Sequence, residues 1–458
     1  MTDIADLTAV EMSAAIRSRS LSPVEITRAA LDRIEARADL NAFITVCGDE
    51  ALVEARAAED AVMRRERIGP LHGIPYSVKD LLATKGVRTT MGSRLFKNNV
   101  PCEDAVSVAR ARAAGAVLIG KTTTPEFGHT QSPTSPLFGR TLNPIDPGVI
   151  PGASSSGSAV AVAAGMGPLS IGTDGGGSIR IPAACCGVVG LKPTLGVIPH
   201  LALPDLFGAN SYAGPMARTV EDTALLFEAI QGADRRDPFG QAETQLHPDP
   251  GRALNGLRLG WIPTAGARVE RETASLTAAA VEKLQAAGAI VEETDTDFKA
   301  YEPAFLTMLR VGLALRAAPT YAGREHLVAA SLIETASHGL HYTAVKLAEA
   351  NAARTMLFQT FHSLFQRFDL LVSPVLTAPP LPVAVDPMRE IEIDGQTSGT
   401  IRGAWYPFTY PQNMTGHPAI ALPCGRTRSG LPVGLQICAP WYHDRMLLRV
   451  ASEAMHVF

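Results

Sequence analysis

The first apolar pattern along the chain is helical, and two N-terminal helices carry their own start signals. Thr8-Ala9-Val10-Glu11 is a capping box, in which a hydroxyl and a carboxylate each satisfy a backbone N–H of the opening turn. Ser22-Pro23-Val24-Glu25 repeats it, with proline at the first helical position. The second helix runs over 26–37, with Ile26, Ala29, Leu31 and Ile34 near one face. Short apolar runs then alternate with helical ones. Residues 41–47 read as a strand, 51–67 as a charged, alanine-rich helix and 71–79 as an apolar strand ending in Lys79-Asp80. A helix over 104–114 leads into a strand over 116–119. Further on, 219–230 is an amphipathic helix, 257–262 a strand, 270–287 a helix and 289–293 a strand. Residues 302–368 are mostly helical with an apolar bias, and 368–383 form a strand that enters a proline-rich turn. From 413 onward short strands alternate with Gly/Pro turns, before a helix over 444–456.

Helices alternating with short apolar strands predict an α/β fold around a largely buried sheet. Length alone suggests about three domains. No repeat, low-complexity linker or clear boundary divides residues 1–458, so one large domain is expected. The chain is 46% apolar and 19% charged with a net charge of −4, an ordinary soluble composition. Its arginines are scattered, which argues against a nucleic-acid surface. Cys47, Cys102, Cys185, Cys186, Cys424 and Cys438 form no CxxC and no Cys/His ligand spacing, so neither a disulfide framework nor a metal site is expected. The opening residues show no basic-then-apolar signal pattern. No apolar run reaches the roughly 18 residues that span a bilayer. A cytoplasmic enzyme or binding protein, with no membrane partner, fits best.

The most informative stretch is 150–194. It contains two turns of small residues, Gly152-Ala153-Ser154-Ser155-Ser156-Gly157 and Gly172-Thr173-Asp174-Gly175-Gly176-Gly177-Ser178. Glycine lets a backbone approach a ligand or turn its N–H groups inward, and a serine at such a turn can be a nucleophile. Two plain loops flanking a buried helix of small residues explain the composition as well. Just upstream, Gly115-Ala116-Val117-Leu118-Ile119-Gly120-Lys121-Thr122 matches the phosphate-loop pattern letter for letter. Its setting is wrong, because the intermediate residues are themselves a strand and no helix follows. The G-x-S-x-G elbow and the S-x-x-K motif are both missing. The eleven histidines leave a Ser-His-Asp triad open. Lys79, at the end of an apolar strand where desolvation favours the neutral amine, makes a Ser-Lys system the other choice.

Gly172-Thr-Asp174-Gly-Gly-Gly-Ser178-Ile-Arg180-Ile-Pro-Ala183 and Gly190-Leu-Lys-Pro-Thr194 resemble the amidase signature family. The similarity reaches back to Leu71-His-Gly-Ile-Pro-Tyr-Ser-Val-Lys79-Asp80 and Gly120-Lys-Thr-Thr-Thr-Pro-Glu-Phe-Gly128. It continues through Asn413-Met-Thr-Gly-His-Pro-Ala-Ile-Ala-Leu-Pro423 and Gly430-Leu-Pro-Val-Gly-Leu-Gln436. Residues 298–367 and 386–410 look private to this chain. The resemblance implies one α/β domain with a central mixed, mostly parallel sheet covered by helices on both faces, and a catalytic core over 71–194. It implies a Ser–Ser–Lys triad acting without cofactor or metal: Ser178 the nucleophile, Ser154 the bridge in a cis peptide, Lys79 the base. Backbone N–H groups of Gly175, Gly176, Gly177 and Ser178 would form the oxyanion hole. Asp174 and Arg180 would hold this loop in shape and Ser155 would support the bridge, while Lys121, Lys192 and the paired cysteines would be structural. The family's Gly-Gly-Ser-Ser-Gly-Gly is altered here, so Ala153 precedes the bridging serine and Ser156 adds a hydroxyl beside it.

Family likeness implies hydrolysis of carboxamides, and with them esters. The altered turn and the private segments resemble urethane-cleaving members, which hydrolyse aryl carbamates. Residues 200–212, 302–343 and 397–410 are rich in large apolar side chains with few charges, and are expected to shape a pocket for an apolar or aromatic small molecule. Two rivals are the transamidation component of a glutamine-dependent amidotransferase, which works inside a complex on charged transfer RNA, and a non-catalytic ligand-binding protein. The stand-alone type of segment at 123–128 and the lack of a basic face speak against the first, and the intact Lys79, Ser154 and Ser178 against the second. The oligomeric state is not legible.

Overall fold

Capping and strand alternation account for most of the architecture. The computed structural model describes residues 3–208, 210–240 and 254–458. Both N-terminal capping boxes form: the Thr8 hydroxyl accepts from Glu11 N–H in helix Ala9–Ser18, and the Ser22 hydroxyl accepts from Glu25 N–H in Pro23–Ala36. The sheet strands, in chain order, are β1 Phe43–Val46, β2 Pro75–Lys79, β3 Val117–Thr122, β4 Leu169–Asp174, β5 Val189–Lys192 and β6 Tyr212–Ala217. They continue as β7 Arg258–Trp261, β8 Ile290–Glu293, β9 Leu370–Pro374, β10 Ala419–Arg426 and β11 Pro432–Cys438. All eleven join one sheet in the order β1-β3-β2-β4-β6-β5-β10-β11-β9-β7-β8.

The period of two sends alternate side chains to opposite faces. Leu118, Ile420, Leu370 and Val372 enter one apolar cluster, shared with helices Ala9–Ser18, Val220–Ile230, Arg271–Ala286 and Asp444–Val457. Val117, Ile119, Ala419, Ala421 and Leu371 enter the other, with helices Pro23–Ala36, Ser156–Ala163, Arg180–Cys186 and Ala344–Arg367. Helices therefore cover both faces, as expected.

The sheet is mixed, but the expected parallel majority needs correction. β2 pairs parallel with β3 and β4, and β7 with β8 and β9. The other six pairings, β1·β3, β4·β6, β5·β6, β5·β10, β10·β11 and β9·β11, are antiparallel. A parallel pair needs a crossover, usually helical, whereas a short turn such as 427–431 between β10 and β11 allows only the antiparallel arrangement. The helix–strand alternation read from the sequence describes the flanks and not the centre.

Gly120, Lys121 and Thr122 lie within β3, so the phosphate-loop match is a strand. Lys121 Nζ donates to Leu82 O and to the hydroxyls of Thr84 and Thr89. Residues 302–368 form three helices, Glu302–Tyr321, Ala330–Leu340 and Ala344–Arg367. The first two build a small separate core with Phe127, through Leu313, Ala317, Leu332 and Ala336. No helix among the described residues is long and apolar enough to cross a membrane.

Candidate active site

β2 and β4 run parallel side by side, with Val78 opposite Ile171, so Lys79 and Asp174 end neighbouring strands at the same edge. Carboxyl ends of parallel strands are where loops can converge on a ligand. Both small-residue turns arrive there: the first opens helix Ser156–Ala163, the second opens Arg180–Cys186.

Lys79 is fully buried. Its Nζ lies 2.7 Å from Ser154 Oγ, 2.9 Å from Ser155 Oγ, 2.9 Å from Thr173 Oγ1 and 3.2 Å from Thr173 O. Burial pulls its pKa well below 10.5, Arg316 adds to the pull and Asp174 opposes it. A neutral amine has two N–H donors and one lone pair. The Ser155 hydroxyl gives its proton to Thr173 O at 3.1 Å, so it accepts from Lys79. Thr173 O is an acceptor only. The lone pair is then left for a hydroxyl, and Ser154 offers the shortest contact.

The Ala153–Ser154 peptide is cis, as the resemblance implies. Ala153 is buried, and its N–H donates to Gln131 Oε1 at 3.2 Å. The added Ser156 hydroxyl turns away from the relay and donates to Gly152 O at 2.7 Å. Ser178 is 9% exposed and lines the same cavity as Ser154. Its carbonyl accepts from Ser155 N–H at 3.1 Å, which ties the two turns together. Among the described residues no hydrogen bond joins the two hydroxyls of Ser154 and Ser178.

Asp174 and Arg180 form a fully buried ion pair at 3.0 Å. Burial pushes the Asp174 pKa up, but Arg180, Asn413 and Gly177 N–H together hold it well below the usual carboxylate range. Arg180 also donates to Gln412, Asn413 and Gln436. One expected oxyanion donor is corrected by this network. Gly177 N–H is already given to Asp174 Oδ1 at 2.5 Å, because the buried carboxylate takes its donors from the loop above it. Gly177 has φ +118°, and a Cβ there would meet Thr409 Oγ1 at 2.4 Å. At Gly176 a Cβ would lie 2.6 Å from Phe305 Cζ, so close packing as well as donor access excludes side chains from this run.

Lys192 and the paired cysteines stand apart from this cluster. Lys192 Nζ sits 3.7 Å over the Tyr212 ring and donates to Pro193 O. Cys185 and Cys186 are buried free thiols, with burial raising both pKa values. Thr173, Gln131, Gln412, Asn413 and Gln436 had no role in the sequence reading. Thr173 sits inside the Gly-Thr-Asp motif, so adjacency to Asp174 was the available signal.

The cavity at Ser154 and Ser178 has a volume of about 180 Å³. Leu203 and Pro204, Phe305 and Met308, and Arg402 and Tyr406 come from the three segments expected to shape it. Position 209, within 200–212, lies outside the described residues. Trp405 does not line the cavity; it is buried, and its indole N–H donates to Ala378 O. The expected scarcity of charge is also corrected, since Arg316, Arg402 and Asp205 all line the walls.

Comparison with known proteins agrees with this geometry. The sequence profile of the amidase family matches residues 25–448. An acylamidase of Rhodococcus erythropolis is 36% identical over 463 residues, spanning 98% of this chain and 94% of that protein. A glutamyl-tRNA(Gln) amidotransferase component of Moorella thermoacetica is 36% identical over 482 residues, covering 97% and 95%. The crystal structure of a bacterial aryl acylamidase superimposes with a TM-score of 0.90 at 29% identity, covering 98% of this chain and 96% of that one.

Proposed function

Because the chain belongs to the amidase signature family, we propose that it hydrolyses C–N bonds of small apolar or aromatic carboxamides through an acyl-enzyme on Ser178. The observation that carries the reading is the fully buried Lys79 amine, 2.7 Å from the Ser154 hydroxyl. In the proposed cycle neutral Lys79 takes the Ser154 proton as Ser154 takes that of Ser178. Ser178 Oγ attacks the carbonyl carbon, and the developing oxyanion meets N–H donors from Gly175, Gly176 and Ser178. As the C–N bond breaks, the proton returns through Ser154 to the leaving amine. Water, deprotonated by the same relay, then attacks the ester carbonyl and releases the acid and Ser178. The Ser154–Ser178 hydrogen bond would tighten when substrate fills the cavity, as catalytic contacts often do.

The same cycle would cleave esters, and aryl carbamates in the urethane-cleaving version of the reading. The likeness to acylamidases supports an aryl amide as the first substrate to try. Kinetics on an aryl amide, its ester and its aryl carbamate test the proposal. Turnover of the amide by the purified chain alone is expected. No turnover of the carbamate ends the urethanase version. Activity that needs a second protein would favour a transamidation component, like the Moorella thermoacetica relative.

A further inference from the structure

Two arginines stand in the cavity without a carboxylate. Arg316, on helix Glu302–Tyr321, donates through Nη2 to Phe127 O at 2.8 Å, and its guanidinium carbon lies 6.0 Å from the centre of the Phe127 ring. Arg402, on helix Ile401–Trp405, donates through Nη2 to His129 O at 3.4 Å. Their heads are thus fastened to carbonyls two residues apart on the wall that also contains Gly128, whose Cβ position would lie 2.9 Å from Ser154 Oγ. Both Nε atoms are buried without a partner. A guanidinium has five N–H donors, so each keeps spare capacity beyond its single carbonyl. Among the described residues neither forms a salt bridge, whereas Arg180, equally part of this region, is paired with Asp174.

Nearby carboxylates are engaged by other donors: Glu302, at the start of the helix that carries Arg316, accepts from the Thr400 hydroxyl and from Gly403 N–H. Glu126 is close in sequence, but its carboxylate is taken by the Ser93 hydroxyl at 2.6 Å and Ala329 N–H at 2.7 Å. Asp205 lines the cavity at an exposed position and accepts the N–H groups of Phe207 and Gly208. Burial pulls His129 and His200 down to about 4, so they are neutral near pH 7, and burial likewise pulls Lys79 well below 10.5, toward its neutral form. Burial lowers Arg316 only to about 10, and it remains a cation. Burying a guanidinium with N–H donors left unsatisfied is costly. A carboxylate between them would gain short, charge-assisted hydrogen bonds.

We propose that Arg316 and Arg402 form an oxyanion subsite beside the Ser154–Ser178 centre, and that the preferred substrate is an amide with an apolar or aromatic body and one carboxylate group. The subsite rests on the amidase reading above. It adds a specificity that the large apolar walls alone would not supply.

Matched acid and neutral substrates test it. Succinanilic acid against butyranilide places the charge on the acyl side; 4-acetamidobenzoate against 4-methylacetanilide places it on the amine side. In at least one pair the wild-type kcat/KM favours the acid at least tenfold. Arg316→Gln and Arg402→Gln each cut that ratio about tenfold or more through KM, and Arg→Lys restores part of it. Titration calorimetry of Ser178→Ala with 4-acetamidobenzoate and succinanilic acid reads binding without turnover, and should show affinity that falls as salt is raised. Hydrolysis of the neutral anilides as fast as the acids, or a ratio unchanged in both Gln variants, overturns the subsite and leaves the amidase reading standing. Failure to hydrolyse any of the four anilides overturns both.

Discussion

The Lys79 amine lies 2.7 Å from the Ser154 hydroxyl, the shortest of its four polar contacts. Ser155 Oγ, Thr173 Oγ1 and Thr173 O complete its surroundings at 2.9, 2.9 and 3.2 Å. In the proposed cycle this amine is the base, held at the end of a strand that cannot move without disturbing β3 and β4.

Replacing that base separates chemistry from stability. Lys79→Met should lower kcat/KM by about 10²–10⁴-fold, the usual worth of a positioned general base. Its melting temperature should stay level or rise, because a buried amine is exchanged for an apolar group of similar length. Lys79→Arg should be inactive too, since a guanidinium does not deprotonate. Steady-state kinetics and a thermal melt on each variant check this.

The pH profile follows from the same nitrogen. Burial, first among the causes, holds the Lys79 pKa well below 10.5. Burial thus favours the neutral form, and protonation removes the acceptor. Activity should fall as pH drops through the lowered pKa, giving an acidic limb of unit slope in kcat/KM. A profile that rises only near 10.5 would show that Lys79 behaves as an ordinary lysine.

The buried ion pair should matter for folding more than for the chemical step. Asp174→Asn leaves Arg180 uncompensated and should cost about 3–5 kcal/mol in urea unfolding. Asp174 has its folded pKa held below the ordinary 3.8. Its contribution is therefore complete above that ordinary value and is lost as pH falls through the folded one. The wild type should lose this stability in acid, and Asp174→Asn should lack that part of the pH dependence.

Close packing beside the nucleophile can be tested by repair. Gly176→Ala would push a methyl to 2.6 Å from Phe305 Cζ. Displacement of the loop should reduce kcat/KM by about 10²-fold, as misplacements near 1 Å do. Combining it with Phe305→Leu should recover part of the loss. Equal losses in the single and double variants would mean that Phe305 is not what the methyl meets.

Much of the frame was readable before any coordinates. Capping boxes at Thr8 and Ser22 and the periodic runs at 219–230 and 270–287 carry local signals, and they appear as helices Val220–Ile230 and Arg271–Ala286. The centre of the sheet was not readable. Tyr212–Ala217 contains Gly214 and Pro215, residues that argue against a strand, yet Pro215 stands opposite Ile171 in β4. Tertiary pairing overrides local preference there. Lys79, Ser154 and Ser178 were found through motif likeness, and the structure brings Lys79 and Ser154 into contact while setting Ser178 on the same cavity. Thr173 and Gln131 were missed because their roles depend on partners at Lys79 and Ala153, 94 and 22 positions away. Arg316 was not singled out because its partner, Phe127 O, lies 189 positions away.

The central claim is that Ser178 is the nucleophile fed by Lys79 through Ser154. Intact-mass and peptide mapping after reaction with a serine-directed fluorophosphonate test it most directly. The account predicts one covalent adduct, located on Ser178, absent from Ser178→Ala and strongly slowed in Lys79→Met. An adduct on another residue, or near-native turnover by Ser178→Ala, would contradict it.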